Sequence, residues 1–281
     1  MDKIYKIALL GQEGIDKYSL SPSIHSHFFR ETNIDGEYTT IAVPPERLCH
    51  ALNYLGDSGY RGLNLTMPHK TEAIKYVTSV DRTAETIGAI NTILFGENGD
   101  ITGFNTDSFG FLENLNEAIP NWHDSHRTVV VYGAGGAAQA VVYSLKYQGI
   151  EDIAICNRND ERAKILAQKF KCEHCSWKNR NDILRTKDMV INATAGGADG
   201  NSPLDISLKQ LKIGSIIYDI VYKPRDTPLI VEATRTDRNF KIVRGLGMLI
   251  YQAAKAFEIW FGVYPKTESR ELYQELDVCL T

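Results

Sequence analysis

Apolar residues come in two patterns that alternate along this chain. Short runs rich in Val, Ile, Leu and Tyr read as strands, and segments with apolar positions three and four apart read as helices. In the first hundred residues, strands are predicted at 4–10, 37–43 and 61–66. Helices follow at 22–32, 45–55 and 68–78, each opening at a proline (Pro22, Pro45, Pro68), where the missing N–H costs no helical hydrogen bond. Residues 89–95 and 101–104, separated by Gly96-Glu-Asn-Gly99, form a predicted hairpin. A connecting helix spans 107–118 and stops at Pro120. Beyond it come a strand at 128–132, a helix at 137–147, a strand at 152–156, a helix at 160–170, and strands at 188–192, 215–220 and 241–243. The helix at 248–261 is apolar on most faces and is therefore expected to be buried, returning to the first domain and shaping a cleft. Such β–α alternation predicts mainly parallel sheets covered by helices.

One stretch organises the second half. Residues 129–140 read VVVYGAGGAAQA, a strand-like run followed by glycines and the start of a helical pattern. Gly133 suits the tight turn, Gly135 allows backbone to approach a pyrophosphate, and the small Ala138 lets helix and strand pack closely. The phosphates would lie at the helix N-terminus, so Gly133, Ala134, Gly135, Gly136 and Ala137 are the candidate cradle. A plain tight turn is the alternative, but strand, glycines and helix stand in the order a dinucleotide site requires.

Composition narrows the partners. At 281 residues, two domains are expected. Hydrophobic residues make up 43% and charged residues 23%, with a mean hydropathy of −0.25, values ordinary for a globular enzyme. A net charge of −4 and a pI near 6.0 give no basic footprint for nucleic acid. No apolar run approaches the roughly 18–20 residues of a membrane span. MDKIYKIALLG, with charges on both sides of a short apolar run, reads as a first strand and not as a signal peptide. Five scattered cysteines argue for reduced thiols in the cytoplasm. Cys172-Glu-His-Cys175 and the pair His123 and His126 have ligand-like spacing, but no second CxxC completes a set of four ligands. No metal is expected, and 172–175 reads as a surface loop.

The second strand of the nucleotide unit ends at Cys156-Asn157-Arg158. An NAD site usually carries Asp or Glu there, accepting from the ribose 2′-hydroxyl. Asn157 and Arg158 take that place, with Arg162 one turn further on, and two guanidinium groups suit a 2′-phosphate. NADP is the expected cofactor, although Asp160 and Glu161 beside the arginines could blunt their field. Polar groups also stand out elsewhere. Ser19-Leu-Ser21 precedes the first helix, with Ser21-Pro22 also readable as an N-cap. Asn64-Leu-Thr66-Met-Pro68-His-Lys70 puts a lysine in a predicted first helical turn, where the helix dipole disfavours it. Asn91-Thr92 and Asn105-Thr106-Asp107 follow.

In these residues the chain resembles the shikimate dehydrogenases and their quinate/shikimate relatives. The motifs are Ser19-x-Ser21-Pro22, Asn64-x-Thr66-x-Pro68-x-Lys70, Gly88-Ala-x-Asn91-Thr92 and Asn105-Thr106-Asp107-x-x-Gly110. Gly133-Ala-Gly-Gly-Ala, Asn157-Arg158, Asn192-Ala-Thr194 and Gly245-Leu-Gly-Met248-Leu-x-x-Gln252-Ala continue the family order over nearly the whole length.

The resemblance implies a two-domain α/β architecture with a cleft between the domains. A substrate-binding domain at 1–106, mainly parallel and completed by C-terminal helices at 245–281, would accompany an NADP-binding Rossmann domain at 107–244. It implies NADP-linked interconversion of shikimate and 3-dehydroshikimate in aromatic amino-acid (chorismate) biosynthesis. Lys70 and Asp107 would then be the catalytic pair. Ser19 and Ser21 would bind the substrate carboxylate, and Asn64, Thr66, Asn91 and Gln252 the ring hydroxyls. Thr194 and Gly245 would join the cofactor site. The protein would be cytoplasmic, a monomer or homodimer, and would bind neither nucleic acid nor membrane. Between Gly11 and Ser19 a longer loop, with Tyr18 where the family often has His, leaves quinate catabolism with NAD(P) as an alternative. Ala195 and Gly196-Gly197 are expected to loosen the loop after Thr194. A non-catalytic NADP-binding sensor is the alternative of a different class.

Overall fold

The computed structural model describes residues 4–280, apart from the side chain of Cys279. Residues 1–3, which the sequence reading places before the first strand, and Thr281, the end of its C-terminal helical segment, lie outside the described residues. The chain divides into two compact units, 1–110 with 250–281, and 111–249.

The first unit begins with β1 (Tyr5–Gly11), a short helix α1 (Ile15–Tyr18), α2 (Ser21–Thr32), β2 (Gly36–Ala42), α3 (Leu48–Asp57) and β3 (Tyr60–Leu65). It continues with β4 (Ser79–Val80), α4 (Arg82–Ile87), the hairpin β5 (Thr92–Phe95) and β6 (Ile101–Phe104), and the start of α5 (Asp107–Ala118). The sheet order is β2-β1-β3-β5-β6-β4. β1 runs parallel to both β2 and β3, whereas β5 is antiparallel to β3 and β6. β1 lies inside the sheet, between β2 and β3, and its Ile7, Ala8, Leu9 and Leu10 are all buried, the continuous apolar run of a strand covered on both faces. Leu48, Leu52 and Leu55 of α3, spaced for one helix face, pack with Ala8, Leu10, Leu63 and Leu65.

The predicted helix at 68–78 does not form. Residues 67–72 are turns, followed by a single 3-10 turn over 73–76 and by β4. In a helix the Lys70 carbonyl would accept from Ile74; here it accepts from the Ile90 amide at 2.8 Å. A long-range partner has replaced the local one. Lys70 is thus not in a helical first turn, and the dipole argument for it falls away. α4, unpredicted, is short and is capped by Asp81, whose carboxylate accepts from the Thr83 and Ala84 amides.

The second unit holds the rest of α5, then β7 (Thr128–Tyr132), α6 (Gly136–Tyr147), β8 (Asp152–Cys156), α7 (Asp160–Phe170), β9 (Glu173–Cys175) and β10 (Met189–Asn192). β11 (Ile216–Asp219), α8 (Pro228–Arg235) and β12 (Lys241–Arg244) complete it. The order is β9-β8-β7-β10-β11-β12, with every pairing parallel. This is the doubly wound arrangement in which the strand order reverses beside the first strand. Val141, Val142 and Leu145 of α6 and Ala163, Leu166 and Ala167 of α7 pack on it. Residues 172–175, expected as a surface loop, include the edge strand β9; Cys156 pairs in register with Cys175, and both thiols are buried.

α9 (Gly245–Phe261) and α10 (Arg270–Leu280) close the chain. The chain passes from one unit to the other inside α5 and inside α9, where the helical pattern runs on without a composition change. From Ile250 onward α9 belongs to the first unit and is buried, with Phe257 edge-on to Phe28 and Phe29. Among the described residues no helix is long and apolar enough to cross a membrane.

Trp260 fixes α9 to the sheet by donating its indole N–H to the Ile93 carbonyl at 2.8 Å. The indole lies directly over Gly62, where any Cβ would collide with Nε1 and, at 2.5 Å, with the Ile93 carbonyl. Gly62→Ala is therefore expected to destabilise the protein by about 1–3 kcal/mol through overpacking. The urea midpoint measures this, and an unchanged midpoint would show that the indole can yield.

Candidate active site

At the carboxyl end of β3 and the start of α5, polar side chains meet where the core is otherwise apolar. Lys70 Nζ donates to Asp107 Oδ2 at 2.6 Å, with the lysine side chain 16% and the aspartate side chain 6% exposed. A carboxylate so buried is costly unless every oxygen is engaged. The other oxygen, Oδ1, accepts from Asn91 Nδ2 at 2.8 Å. Asn91 in turn is held by its carbonyl oxygen, which accepts from the Thr106 amide at 2.8 Å and from the Thr92 hydroxyl at 3.0 Å. Gln252, from α9, presents Oε1 to Asn91 Nδ2 at 3.3 Å.

Asn64 joins the same network from β3, donating to the Asn91 backbone carbonyl and to Thr92 Oγ1, each at 3.1 Å. Its oxygen accepts from Tyr38 Oη at 2.8 Å, which sets the amide orientation. Tyr38 is itself stacked at 4.2 Å on His25, a ring whose complete burial pushes its pKa down to about 3 and keeps it neutral. Thr66 is anchored by its amide to the Leu10 carbonyl at 3.0 Å, and its methyl crowds Gly11. Ser21 is the first residue of α2 and not its cap. Its amide donates to Ser19 Oγ at 3.3 Å, so the capping alternative for Ser21 fails.

Of the predicted catalytic and substrate set, Asn64, Lys70, Asn91, Asp107 and Gln252 thus share one hydrogen-bonded network. Ser19 and Ser21 contact each other, and Thr66 is tied to β1. Tyr38, Thr92 and Thr106 belong to the network but were not singled out as site residues. Thr92 and Thr106 stand beside predicted residues, which is a signal in the sequence; nothing local marks Tyr38.

In the second unit the candidate cofactor residues come from separate strand ends of one parallel sheet. Gly133 follows β7, Asn157 and Arg158 follow β8, Thr194 follows β10 and Gly245 follows β12. Parallel strands end at one edge, the place where such sheets bind ligands. Gly133 has φ 124°, and a Cβ there would lie 2.6 Å from the Ala193 carbonyl, so a glycine is required. Gly245 is pressed against the Ile220 carbonyl in the same way. At Gly135 a Cβ would meet nothing within 4 Å, and no side chain caps the α6 N-terminus. That open, uncapped helix start fits a dinucleotide pyrophosphate.

The loop after β10 is tightly held. Asn192 Oδ1 accepts from Thr194 Oγ1 at 2.7 Å, Asn192 Nδ2 donates to the Gly196 carbonyl at 2.9 Å, and the Gly196 amide donates to Thr194 Oγ1 at 2.9 Å. The expectation that Gly196-Gly197 loosens this loop is therefore overturned. After β8, Asn159 caps α7 by accepting from the Arg162 amide at 3.1 Å. Asp160 is engaged by His174 at 2.9 Å and Lys164 at 3.2 Å, and these partners hold its carboxyl below the usual range.

Comparison with known proteins adds a family to this geometry. Residues 13–93 match the family model described as the shikimate dehydrogenase substrate binding domain. Residues 115–240 match shikimate / quinate 5-dehydrogenase, and 245–269 match the shikimate 5′-dehydrogenase C-terminal domain. The NADP(+) shikimate dehydrogenase of Paramagnetospirillum magneticum is 39% identical over 255 residues, covering 90% of this chain and 92% of that protein. The structure of shikimate 5-dehydrogenase from Thermus thermophilus in complex with NADP(H) and shikimate superposes with a TM-score of 0.85 at 32% identity, covering 98% of this chain and 100% of that one. Quinate dehydrogenase from Corynebacterium glutamicum in complex with NAD gives a TM-score of 0.87 at 26% identity, covering 98% and 100%.

One buried acid outside the predicted set carries a test. Asp219, fully buried at the end of β11, accepts from Asn192 Nδ2 at 2.9 Å, the Val221 amide at 3.0 Å and Thr227 Oγ1 at 2.6 Å. Burial outweighs these bonds and pushes its pKa from 3.8 up to about 6. Between those values the folded chain keeps a proton that the unfolded chain has lost. The stability contribution is therefore greatest below about pH 4, falls as pH rises, and levels off above about pH 6, a loss on the order of 3 kcal/mol. Asp219→Asn keeps the acceptor and removes the charge. Urea unfolding at pH 4 and pH 7 is expected to show a shallower decline in that variant; equal declines would mean that Asp219 titrates normally.

Proposed function

The chain belongs to the shikimate dehydrogenase family, and on that premise we propose that it interconverts shikimate and 3-dehydroshikimate with NADP(H), in the biosynthesis of chorismate and the aromatic amino acids. The observation that carries this reading is the Lys70–Asp107 pair at 2.6 Å inside a buried polar network. Oxidation of a secondary alcohol removes a hydride from carbon and a proton from oxygen. NADP⁺ supplies the hydride acceptor. The proton falls to Lys70 and Asp107, which act together as the acid–base couple, and partial burial strengthens their interaction beyond what an exposed pair would have.

Asn64, Thr66, Asn91 and Gln252 bind the ring hydroxyls, and Ser19 and Ser21 the carboxylate. Asn64 and Asn91 are pre-oriented by Tyr38, Thr92 and Thr106, so little reorganisation accompanies binding. Gly133 to Ala137 cradle the pyrophosphate, with Thr194 and Gly245 alongside, while Asn157, Arg158 and Arg162 take the adenosine ribose and its 2′-phosphate. The first unit is accordingly the substrate domain and the second the NADP domain. The setting is the cytoplasm, in keeping with the free thiols of Cys49, Cys156, Cys172 and Cys175, and the protein works as a monomer or homodimer. A quinate activity with NAD has support in the similarity to a quinate dehydrogenase and in the α1 loop, whose Tyr18 is exposed.

Lys70→Ala is expected to lower kcat by about 10²- to 10⁴-fold while NADP⁺ affinity stays unchanged. Near-normal turnover would remove Lys70 from the chemistry. Nicotinamide absorbance, recorded with shikimate or quinate against NADP⁺ or NAD⁺, tests the reaction itself. Reduction is expected with shikimate and NADP⁺; strong turnover of quinate with NAD⁺ would move the assignment to quinate catabolism, and no turnover with nucleotide bound would leave a sensor.

A further inference from the structure

The two arginines assigned to the 2′-phosphate stand on either side of two acids, Asp160 and Glu161. Arg158 precedes Asp160 by two residues and Arg162 follows it by two, and both arginines are exposed. A free carboxylate between them would repel a phosphate, and a carboxylate at this end of the strand is the group that normally accepts from an unphosphorylated ribose. Asp160 is not free. Its Oδ1 lies 2.9 Å from His174 Nε2 and its Oδ2 lies 3.2 Å from Lys164 Nζ.

The two partners differ in origin. Lys164 is on the same helix, one turn along, and half exposed, as on many solvated helix faces. His174 comes from β9, and register places it beside Ile155, next to the last residue of β8, from which the Asn157-Arg158 turn departs. The imidazole is three-quarters covered. It therefore grips Asp160 from the sheet edge, independently of α7. Asn159 supplies the helix cap, so Asp160 is not needed for that purpose.

We propose that His174 is a positioning residue for cofactor choice: by holding the Asp160 carboxylate against β9, it leaves Glu161 as the one acid facing Arg158 and Arg162, so that the site carries net positive charge and prefers a dinucleotide with a 2′-phosphate. The proposal rests on the assignment of those arginines to the 2′-phosphate made above. It accounts for one of the two acidic residues that lie between the arginines, the other being the exposed Glu161. It also gives a use to His174 of the Cys172-Glu-His-Cys175 stretch.

Titration calorimetry with the full chain at fixed pH and ionic strength, using NADP⁺ and NAD⁺ as separate probes, tests it. His174→Ala is expected to weaken NADP⁺ binding about three- to tenfold, the size of one partly screened charge, while leaving NAD⁺ within about twofold. His174→Gln, which retains a donor, is expected to keep most of the preference. The double variant His174→Ala with Asp160→Asn is expected to recover NADP⁺ affinity, because the carboxylate that needed holding is gone. Equal weakening of both dinucleotides by His174→Ala, or no recovery in the double variant, would reduce His174 to a structural contact and overturn the proposal. A wild-type chain that binds NADP⁺ no more tightly than NAD⁺ would overturn the arginine assignment itself.

Discussion

A carboxylate buried to the extent of Asp107 has to be compensated on both oxygens, and much of the first unit is arranged around that need. Lys70 satisfies one oxygen and Asn91 the other. For Lys70 to arrive there, the chain after β3 cannot wind into a helix, and the Ile90 amide takes the Lys70 carbonyl in place of a helical donor. For Asn91 to present its amide, Thr106 and Thr92 must hold its oxygen, which places the ends of β5 and β6 side by side. Each compensation is thus also a positional constraint.

The second unit answers a different constraint. Its six strands are all parallel, so their carboxyl ends gather at one edge and the loops there must pass one another closely. Glycines appear where backbone meets backbone, at Gly133 against Ala193 and at Gly245 against Ile220. The loops are then tied by two buried polar residues, Asn192 and Asp219, which share one hydrogen bond and between them engage Thr194, Gly196, Val221 and Thr227. Asp219 carries a desolvation cost for this, visible in its raised pKa, and only Asn192 and neighbouring donors offset it.

The strands and long helices were legible because their patterns are self-contained: β7 and α6, or α3 with Leu48, Leu52 and Leu55, declare a buried face in a few residues. The motif residues were legible too, since Lys70, Asn91 and Asp107 stand in short stretches of unusual polarity. What local pattern misjudged was the segment after Pro68, the strand at Glu173–Cys175 and the looseness of the Gly196-Gly197 loop. In the first two a partner distant in sequence decides, Ile90 for Lys70 and β8 for β9; in the third the Asn192 side chain, itself held by the distant Asp219, ties the loop from two and four residues away.

The sequence by itself determined the α/β class, the strand–glycine–helix turn at Gly133 to Ala138, the absence of an acid at Asn157-Arg158, and the residue types able to move a proton. Those follow from periodicity and from side-chain chemistry, both of which are local. Only the tertiary structure decided that Lys70 meets Asp107 and that Tyr38 orients Asn64. It also decided that Ser21 is no cap and that Asp160 is bound by His174. Hydrogen bonds act over about 3 Å, and which groups come within that reach is set by how strands register and helices pack, not by their spacing along the chain.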